Sequence, residues 1–198
     1  MEVAGLVLAA GAGRRYGMPK ALIAYQGRLL VQRAADTLRE AGCIRTSVVL
    51  GAGAERVREA APDLPATVVN VDWAAGMGSS LRAGLAALVG GAADAAVILL
   101  VDMPGVTAEA VRRVIAEVDA GAGPLPAAAR GALAMGGYDG RRGHPVLLGR
   151  DHWAGVAAAA VGDRGARDYL RAHADRVRVV PVGDVADDSD IDVPSDLN

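Results

Sequence analysis

Val3-Ala4-Gly5-Leu6-Val7-Leu8-Ala9-Ala10-Gly11-Ala12-Gly13-Arg14-Arg15-Tyr16-Gly17-Met18-Pro19-Lys20 begins as a short apolar run and ends in a glycine-rich turn. A run of this length closed by glycine reads as a strand buried on both faces. Beyond its end, glycines let the main chain approach a ligand, and successive backbone N–H groups can wrap a polyphosphate. Arg15 and Lys20 add positive charge, and Lys20 is expected on a solvent-facing loop. A dinucleotide fingerprint would need a third glycine at Tyr16, and a Walker loop would end in Gly-Lys-Ser/Thr; this stretch has neither. Taken alone, it also fits a glycine-rich turn with two solvated cations.

Working outward, similar runs recur at Ser47–Leu50, Thr67–Val71, Val97–Val101 and Val177–Val182. Helical spacing lies between them at Leu29–Ala41, Ala54–Ala61, Ser79–Val89 and Ala108–Val118, with another at Ala166–Ala174. Alternating strand and helix predict an α/β fold, a parallel sheet wrapped by helices, with its ligand crevice at the carboxyl ends of the strands. Functional residues should therefore follow strands. Ala120–Gly137 has weak periodicity and reads as an insertion or linker within one domain spanning 1–198.

Composition narrows the classes. The chain is 52% hydrophobic but 3% aromatic with no Phe, so its core must be aliphatic, and 26 glycines in 198 residues imply many tight turns. With 21 Lys and Arg against 23 Asp and Glu, the net charge of -2 gives no global pull toward nucleic acid or an anionic membrane. Cys43 is the sole cysteine, which excludes an intrachain disulfide and fits a reducing compartment. Glu2 stands where a secretory leader would be basic, and no apolar run reaches the roughly 18 residues of a span. The expected location is the cytoplasm.

Two acidic positions carry chemistry. Asp102 ends the run Val97–Val101 and precedes Met103-Pro104, where an unpartnered carboxylate would be costly; it should hold a cation, magnesium beside a triphosphate, or accept hydrogen bonds. It could equally cap the helix that starts at Ala108. Asp187-Asp188-Ser189-Asp190-Ile191-Asp192 reads, by itself, as a solvated tail rather than a site, as acidic runs usually do. In Asn70–Leu81, Ser79 or Ser80 is expected to cap a helix, while Gly76 and Gly78 allow close approach to a planar base. His144 follows Gly143 and suits either a loop contact or a ligand. His152, His173 and Cys43 have no evident partners.

Leu8, Gly11, Gly13, Arg15, Gly17 and Lys20 match in order L-x-x-G-x-G-x-R-x-G-x-x-K, which resembles the loop of the MobA-like NTP transferases, the superfamily of the molybdenum cofactor guanylyl- and cytidylyltransferases. The resemblance implies a three-layer, Rossmann-like nucleotidyltransferase (GT-A-like) fold with a mostly parallel central sheet. It implies that Leu8, Ala9, Ala10, Gly11, Gly13, Arg15 and Lys20 surround a nucleoside triphosphate, with Arg15 and Lys20 neutralising its phosphates. Asp102 matches an Asp-x-Pro magnesium ligand. Asp190–Leu197 resembles the closing motif whose second Asp, Asp192, completes the Mg²⁺ site. Val193 and Ser195 depart from the usual Thr and acidic residue there, so Asp190 stands as a substitute.

Ala10 and the segment Gly76–Leu81, with Gly76, Ser79 and Ser80 on the nucleotide, resemble the cytidylyl branch, and Gly143-His144-Pro145 resembles its substrate side. Arg141 and Arg142 would meet the pterin's phosphate. The implied activity is transfer of CMP from CTP to the phosphate of molybdopterin with release of pyrophosphate, and a molybdenum hydroxylase would receive the product. Another base or acceptor (a guanylyl-type enzyme or a sugar phosphate) and a non-catalytic pterin carrier remain as alternatives. A dinucleotide-dependent oxidoreductase is disfavoured by the missing third glycine.

Overall fold

In the computed structural model, which describes residues 1–119 and 127–197, the opening apolar run is β1 (Val3–Ala9), buried along its whole length. A small antiparallel hairpin follows, β2 (Ala24–Tyr25) and β3 (Arg28–Leu29), then α1 (Leu30–Glu40), β4 (Arg45–Leu50), α2 (Ala54–Ala60) and β5 (Ala66–Val69). Next come α3 (Met77–Leu88), β6 (Ala95–Leu100), α4 (Ala108–Asp119), α5 (Ala127–Arg130), β7 (Leu133–Tyr138) and β8 (Arg141–Gly149). The chain continues through α6 (Trp153–Ala159), α7 (Arg167–Ala172) and β9 (Val177–Pro181). None of the described helices is long and apolar enough to cross a membrane.

Seven strands form one sheet in the order β5-β4-β1-β6-β8-β7-β9. β5, β4, β1 and β6 pair in parallel, β8 is antiparallel to both β6 and β7, and β9 is parallel to β7. β8 alone therefore runs against the rest. Side chains alternate across β1: Val3, Val7 and Ala9 face the layer of α1, α2 and α4, while Ala4, Leu6 and Leu8 face the layer of α3, α6 and α7. This is the helix-wrapped sheet that the alternation predicts and the three-layer, mostly parallel fold that the resemblance implies, filled with aliphatic side chains.

Two expectations need correction. Within Ala120–Gly137, residues 120–126 lie outside the described ones, but Ala127–Arg130 is α5 and Leu133–Gly137 belongs to β7, inside the sheet. Leu-Ala-Met-Gly-Gly holds no β-branched residue, so its strand character comes from pairing on both sides rather than from propensity. The runs at 67–71 and 177–182 are not buried on both faces: β5 and β9 are the sheet's edges, and Val69 and Val179 are exposed.

The site is positioned by the switch in strand order. β4, the next strand of this sheet in the chain, pairs on one side of β1, and β6 pairs on the other, so the carboxyl ends of β1 and β6 open side by side. Leu8 is level with Leu100, which places the glycine-rich loop beside Asp102. The carboxyl-terminal segment is sewn to the loop after β6. The Ile191 amide donates to the Asp102 carbonyl at 2.8 Å, the Asp187 amide to the Gly105 carbonyl at 3.1 Å, and the Thr107 hydroxyl to the Val185 carbonyl at 3.0 Å. Ile191 is buried in the core, and its neighbours Asp190 and Asp192 converge on Asp102.

Candidate active site

The loop after β1 turns back on itself at Gly13, whose φ of +59° suits glycine; a Cβ there would lie 1.9 Å from the Met18 carbonyl oxygen. The Gly17 amide donates to the Gly13 carbonyl at 2.8 Å, and the chain then enters a short 3₁₀ turn at Lys20–Leu22. Lys20 is thereby carried under the loop. Its Nζ donates to Asp102 Oδ2 at 2.7 Å and to Asp192 Oδ1, and its side chain is only 16% exposed. The expectation of a solvent-facing Lys20 is wrong, because these two carboxylates hold it inward. Burial works against the ammonium's charge, but the hydrogen bonds to Asp102 and Asp192 outweigh it and raise the Lys20 pKa above the usual lysine range. The same bond from Lys20, helped by Arg15, holds the Asp192 carboxyl below the usual range.

Asp102, Asp190 and Asp192 bring one carboxylate oxygen each within 4.8 Å of one another. Asp102 is no helix cap: the Thr107 hydroxyl accepts from the Ala110 amide at 3.2 Å and caps α4. The acidic tail is a folded part of the site, fixed by the Asp196 carboxylate, which accepts from the amides of Asp192 and Val193 at 2.8 and 2.9 Å. Asp190 and Asp192 both join Asp102, so the choice between them dissolves into a triad. Three hard oxygen donors suit Mg²⁺ or Mn²⁺.

Two clefts meet over Asp102. The first, of about 360 Å³, is lined by Leu8, Ala10, Gly11, Gly13, Lys20, Gly76 and Ser80, among others. Three expected nucleotide residues sit differently. Ala9 turns its side chain into the opposite layer, Arg15 reaches across to Asp192, and Ser79 lies within hydrogen-bond distance of the Asp72 and Gly76 carbonyls. Neither serine caps α3: the cap position is Gly76, at φ +101°, where a Cβ would lie 2.5 Å from the Gly162 carbonyl carbon. Residues of the wall that the sequence did not disclose are Arg14, Trp73 and Asp163. Asn70, buried at the end of β5, donates to the hydroxyls of Ser79 and Ser80 at 2.8 and 3.1 Å and so fixes the first turn of α3.

The second cleft, of about 630 Å³, is lined by Gly143, His144 and Arg142, an apolar floor including Met135 and Val146, and the loop Asp163–Arg167. Leu8, Met77, Leu100, Asp102 and Asp163 belong to both clefts, which therefore open onto each other at the end of β6. The Tyr138 hydroxyl, its pKa pushed up to about 12 by burial and by Asp188 and Asp187, donates to the His144 carbonyl at 2.5 Å. Burial pushes the His144 imidazole down to about 4, against the pull of Asp102 and Asp188, so it is neutral at pH 7. Arg141 is engaged with Asp188 through two hydrogen bonds. His152 lies between the Tyr169 hydroxyl and the Gly131 carbonyl, and His173 stacks on Tyr169; neither lines a cleft.

A sequence profile for the MobA-like NTP transferase domain matches residues 5–177. The nicotine blue oxidoreductase of Paenarthrobacter nicotinovorans is 40% identical over 192 residues, covering 96% of this chain and 92% of that protein. Among solved structures, Rv0371c from Mycobacterium tuberculosis H37Rv is 32% identical with a TM-score of 0.77, covering 99% of this chain and 95% of its own. A manganese complex of Rv0371C superposes with a TM-score of 0.75 at 30% identity, over 96% and 94% of the two chains.

Two outcomes follow from the charges. Lys20→Met leaves Asp102 and Asp192 facing each other, so in metal-free buffer its melting temperature should fall by roughly 3–6 °C, about 1–2 kcal/mol for a partly exposed cluster. Millimolar Mn²⁺ should raise the melting temperature of this variant more than that of the wild type; equal shifts would show that Lys20 and the cation do not share the triad. His144 gains its proton near pH 6.5 when unfolded but only near 4 when folded. The unfolded chain therefore binds more protons between these values, and stability falls as the pH drops through this window. His144→Gln should show a smaller loss of urea midpoint than the wild type between about pH 7 and pH 5.

Proposed function

The chain belongs to the MobA-like NTP transferase family, and we propose on that premise that it transfers CMP from CTP to the phosphate of molybdopterin with release of pyrophosphate. The observation that carries the reading is the meeting of two clefts over Asp102, with a phosphate-wrapping loop on one side and a larger, apolar-floored cleft on the other. An acceptor phosphate oxygen attacks the α-phosphorus of CTP from the second cleft. The bond from that phosphorus to the bridging oxygen breaks, and pyrophosphate leaves along the loop. No covalent enzyme intermediate is needed, so positioning and charge neutralisation carry the rate.

The open backbone at Gly11 admits the phosphates, the turn at Gly13 brings the loop round them, and Lys20, with Arg14 and Arg15 nearby, offsets their charge. Asp102, Asp190 and Asp192 would hold Mg²⁺, which when bound neutralises the transferred phosphate. Trp73, Gly76 and Ser80 line the space left for the base. Ala10 and Gly76–Leu81 support cytosine, and Gly143 with His144 supports a pterin in the second cleft. His144, neutral at pH 7, serves as a hydrogen-bonding wall rather than a charge. The same reading puts the reaction in the cytoplasm and passes the product to a molybdenum hydroxylase, with neither nucleic acid nor membrane involved.

A second reading follows from the 40% identical relative, whose name is that of an oxidoreductase acting on nicotine blue. Redox work on a planar heteroaromatic compound would use the same apolar-floored cleft. The phosphate loop, lacking a dinucleotide fingerprint, favours nucleotidyl transfer.

Pyrophosphate release measured with CTP or GTP, with and without molybdopterin, separates these readings. Turnover should require molybdopterin and be faster with CTP; equal or GTP-favouring rates overturn the cytidylyl assignment, and binding without release would mark a carrier. Nicotine blue consumed at the expense of a reduced nicotinamide dinucleotide, with no pyrophosphate formed from any nucleotide, would put the second reading first. Asp102→Asn should keep the fold and raise the Mg²⁺ needed for half-maximal release at least about tenfold. Pairing it with Asp192→Asn should add little, because ligands of one ion act as a unit.

A further inference from the structure

Four arginines border the second cleft: Arg142 on β8, and Arg164, Arg167 and Arg171 in and just before α7. Their partners divide them. Arg164 and Arg171 share the Asp168 carboxylate, at 2.9 and 3.6 Å. Arg142 and Arg167 pair with no carboxylate among the described residues. The acidic groups of the same cleft are already engaged: Asp188 accepts both hydrogen bonds from Arg141, Asp163 accepts from the Met77 amide at 3.3 Å, and Asp102 and Asp190 belong to the triad. Arg142 and Arg167 are thus the guanidinium groups of this cleft that no carboxylate among the described residues holds. They stand on opposite elements around a floor of Leu81, Ile98, Met135, Val146 and Leu170.

We propose that Arg142 and Arg167 bind the anionic group of a flat, phosphorylated acceptor and so set acceptor specificity. This rests on the nucleotidyl-transfer reading for the identity of the acceptor as molybdopterin, but not for the chemistry of the cleft. Guanidinium groups hold phosphate oxygens through paired, charge-assisted hydrogen bonds, and the apolar floor takes the ring. The pair also answers an electrostatic problem: an acceptor phosphate must approach a nucleotide phosphate that is itself negative. Arg142 lies two residues before His144 on β8, and both line the cleft. Of the two arginines that adjoin Gly143-His144 in sequence, Arg141 is consumed by Asp188 and Arg142 is left for the ligand. Arg167 comes from a part of the chain in which no motif points to it.

The test uses Arg142→Gln and Arg167→Gln with two readouts. In steady-state pyrophosphate release, each variant should raise the KM for molybdopterin at least about tenfold while the KM for CTP stays at the wild-type value. Arg→Lys at either position should recover part of the loss, since lysine keeps the charge but not the fork. Independently, phenyl phosphate titrated by calorimetry in the presence of Mg²⁺ should bind the wild type and bind each Gln variant at least about tenfold more weakly. If the wild type turns over molybdopterin and neither variant changes its acceptor KM, the arginine assignment fails and the proposed function stands. If molybdopterin is not a substrate but the variants still lose phenyl phosphate, the proposed function fails and the anion site stands. Phenyl phosphate that ignores the wild-type cleft, or binds all variants alike, overturns the site.

Discussion

The site depends on a concentration of like charge at the carboxyl ends of β1 and β6. Asp102, Asp190 and Asp192 converge within 4.8 Å, and two charges about 4 Å apart near a protein surface repel by about 4 kcal/mol. The repulsion is offset by the Lys20 ammonium, drawn between Asp102 and Asp192 by a loop that only glycine at position 13 can turn, and by Arg15 on the outer side of Asp192. The carboxyl-terminal segment is folded down for the same end. Ile191 is buried and its amide binds the Asp102 carbonyl, so the two flanking carboxylates are held beside Asp102. The structure thus holds anionic ligands close together with cations within reach, as a site for metal and triphosphate requires.

Around this centre the two clefts are kept rigid by different means. On the nucleotide side, Gly76 and Gly78 let the first turn of α3 press against Ala160–Asp163, and the buried Asn70 ties that turn to the end of β5. On the acceptor side, the Tyr138 hydroxyl grips the His144 carbonyl, and Asp188 is held by Arg141. Both walls reach Asp102 through shared residues, so neither substrate can be placed without reference to the other.

Much of this was legible along the chain. The strands of the parallel half announce themselves as β-branched runs, and the order strand, loop, helix places Gly11–Lys20 and Asp102 where ligands bind in α/β sheets. The Asp-Ile-Asp pattern is also readable in hindsight: its middle residue is the anchor, and the outer two share a side because side chains alternate along extended chain. What escaped depends on contacts between distant segments. β7 is made into a strand by its neighbours and not by its own Ala, Met and Gly residues. Lys20 reads as a loop lysine until Asp192, far along the chain, is brought onto it. Arg14, Trp73, Asp163 and Arg167 look like ordinary surface residues, and only the two clefts single them out.

A triphosphate and a divalent cation are expected to bind as one unit across the loop and the triad. Trp73 lines the first cleft while Trp153, the other tryptophan, is buried with its indole N–H on the Leu148 carbonyl, so a ligand-dependent change in fluorescence is assigned to Trp73. Titrating CTP against this signal at fixed Mg²⁺ concentrations, and again in EDTA, measures the coupling directly. Binding as one unit means that Mg²⁺ tightens CTP binding at least about tenfold and that CTP tightens Mg²⁺ binding by the same factor, as linkage demands. CTP affinity that is the same with and without the cation would contradict it.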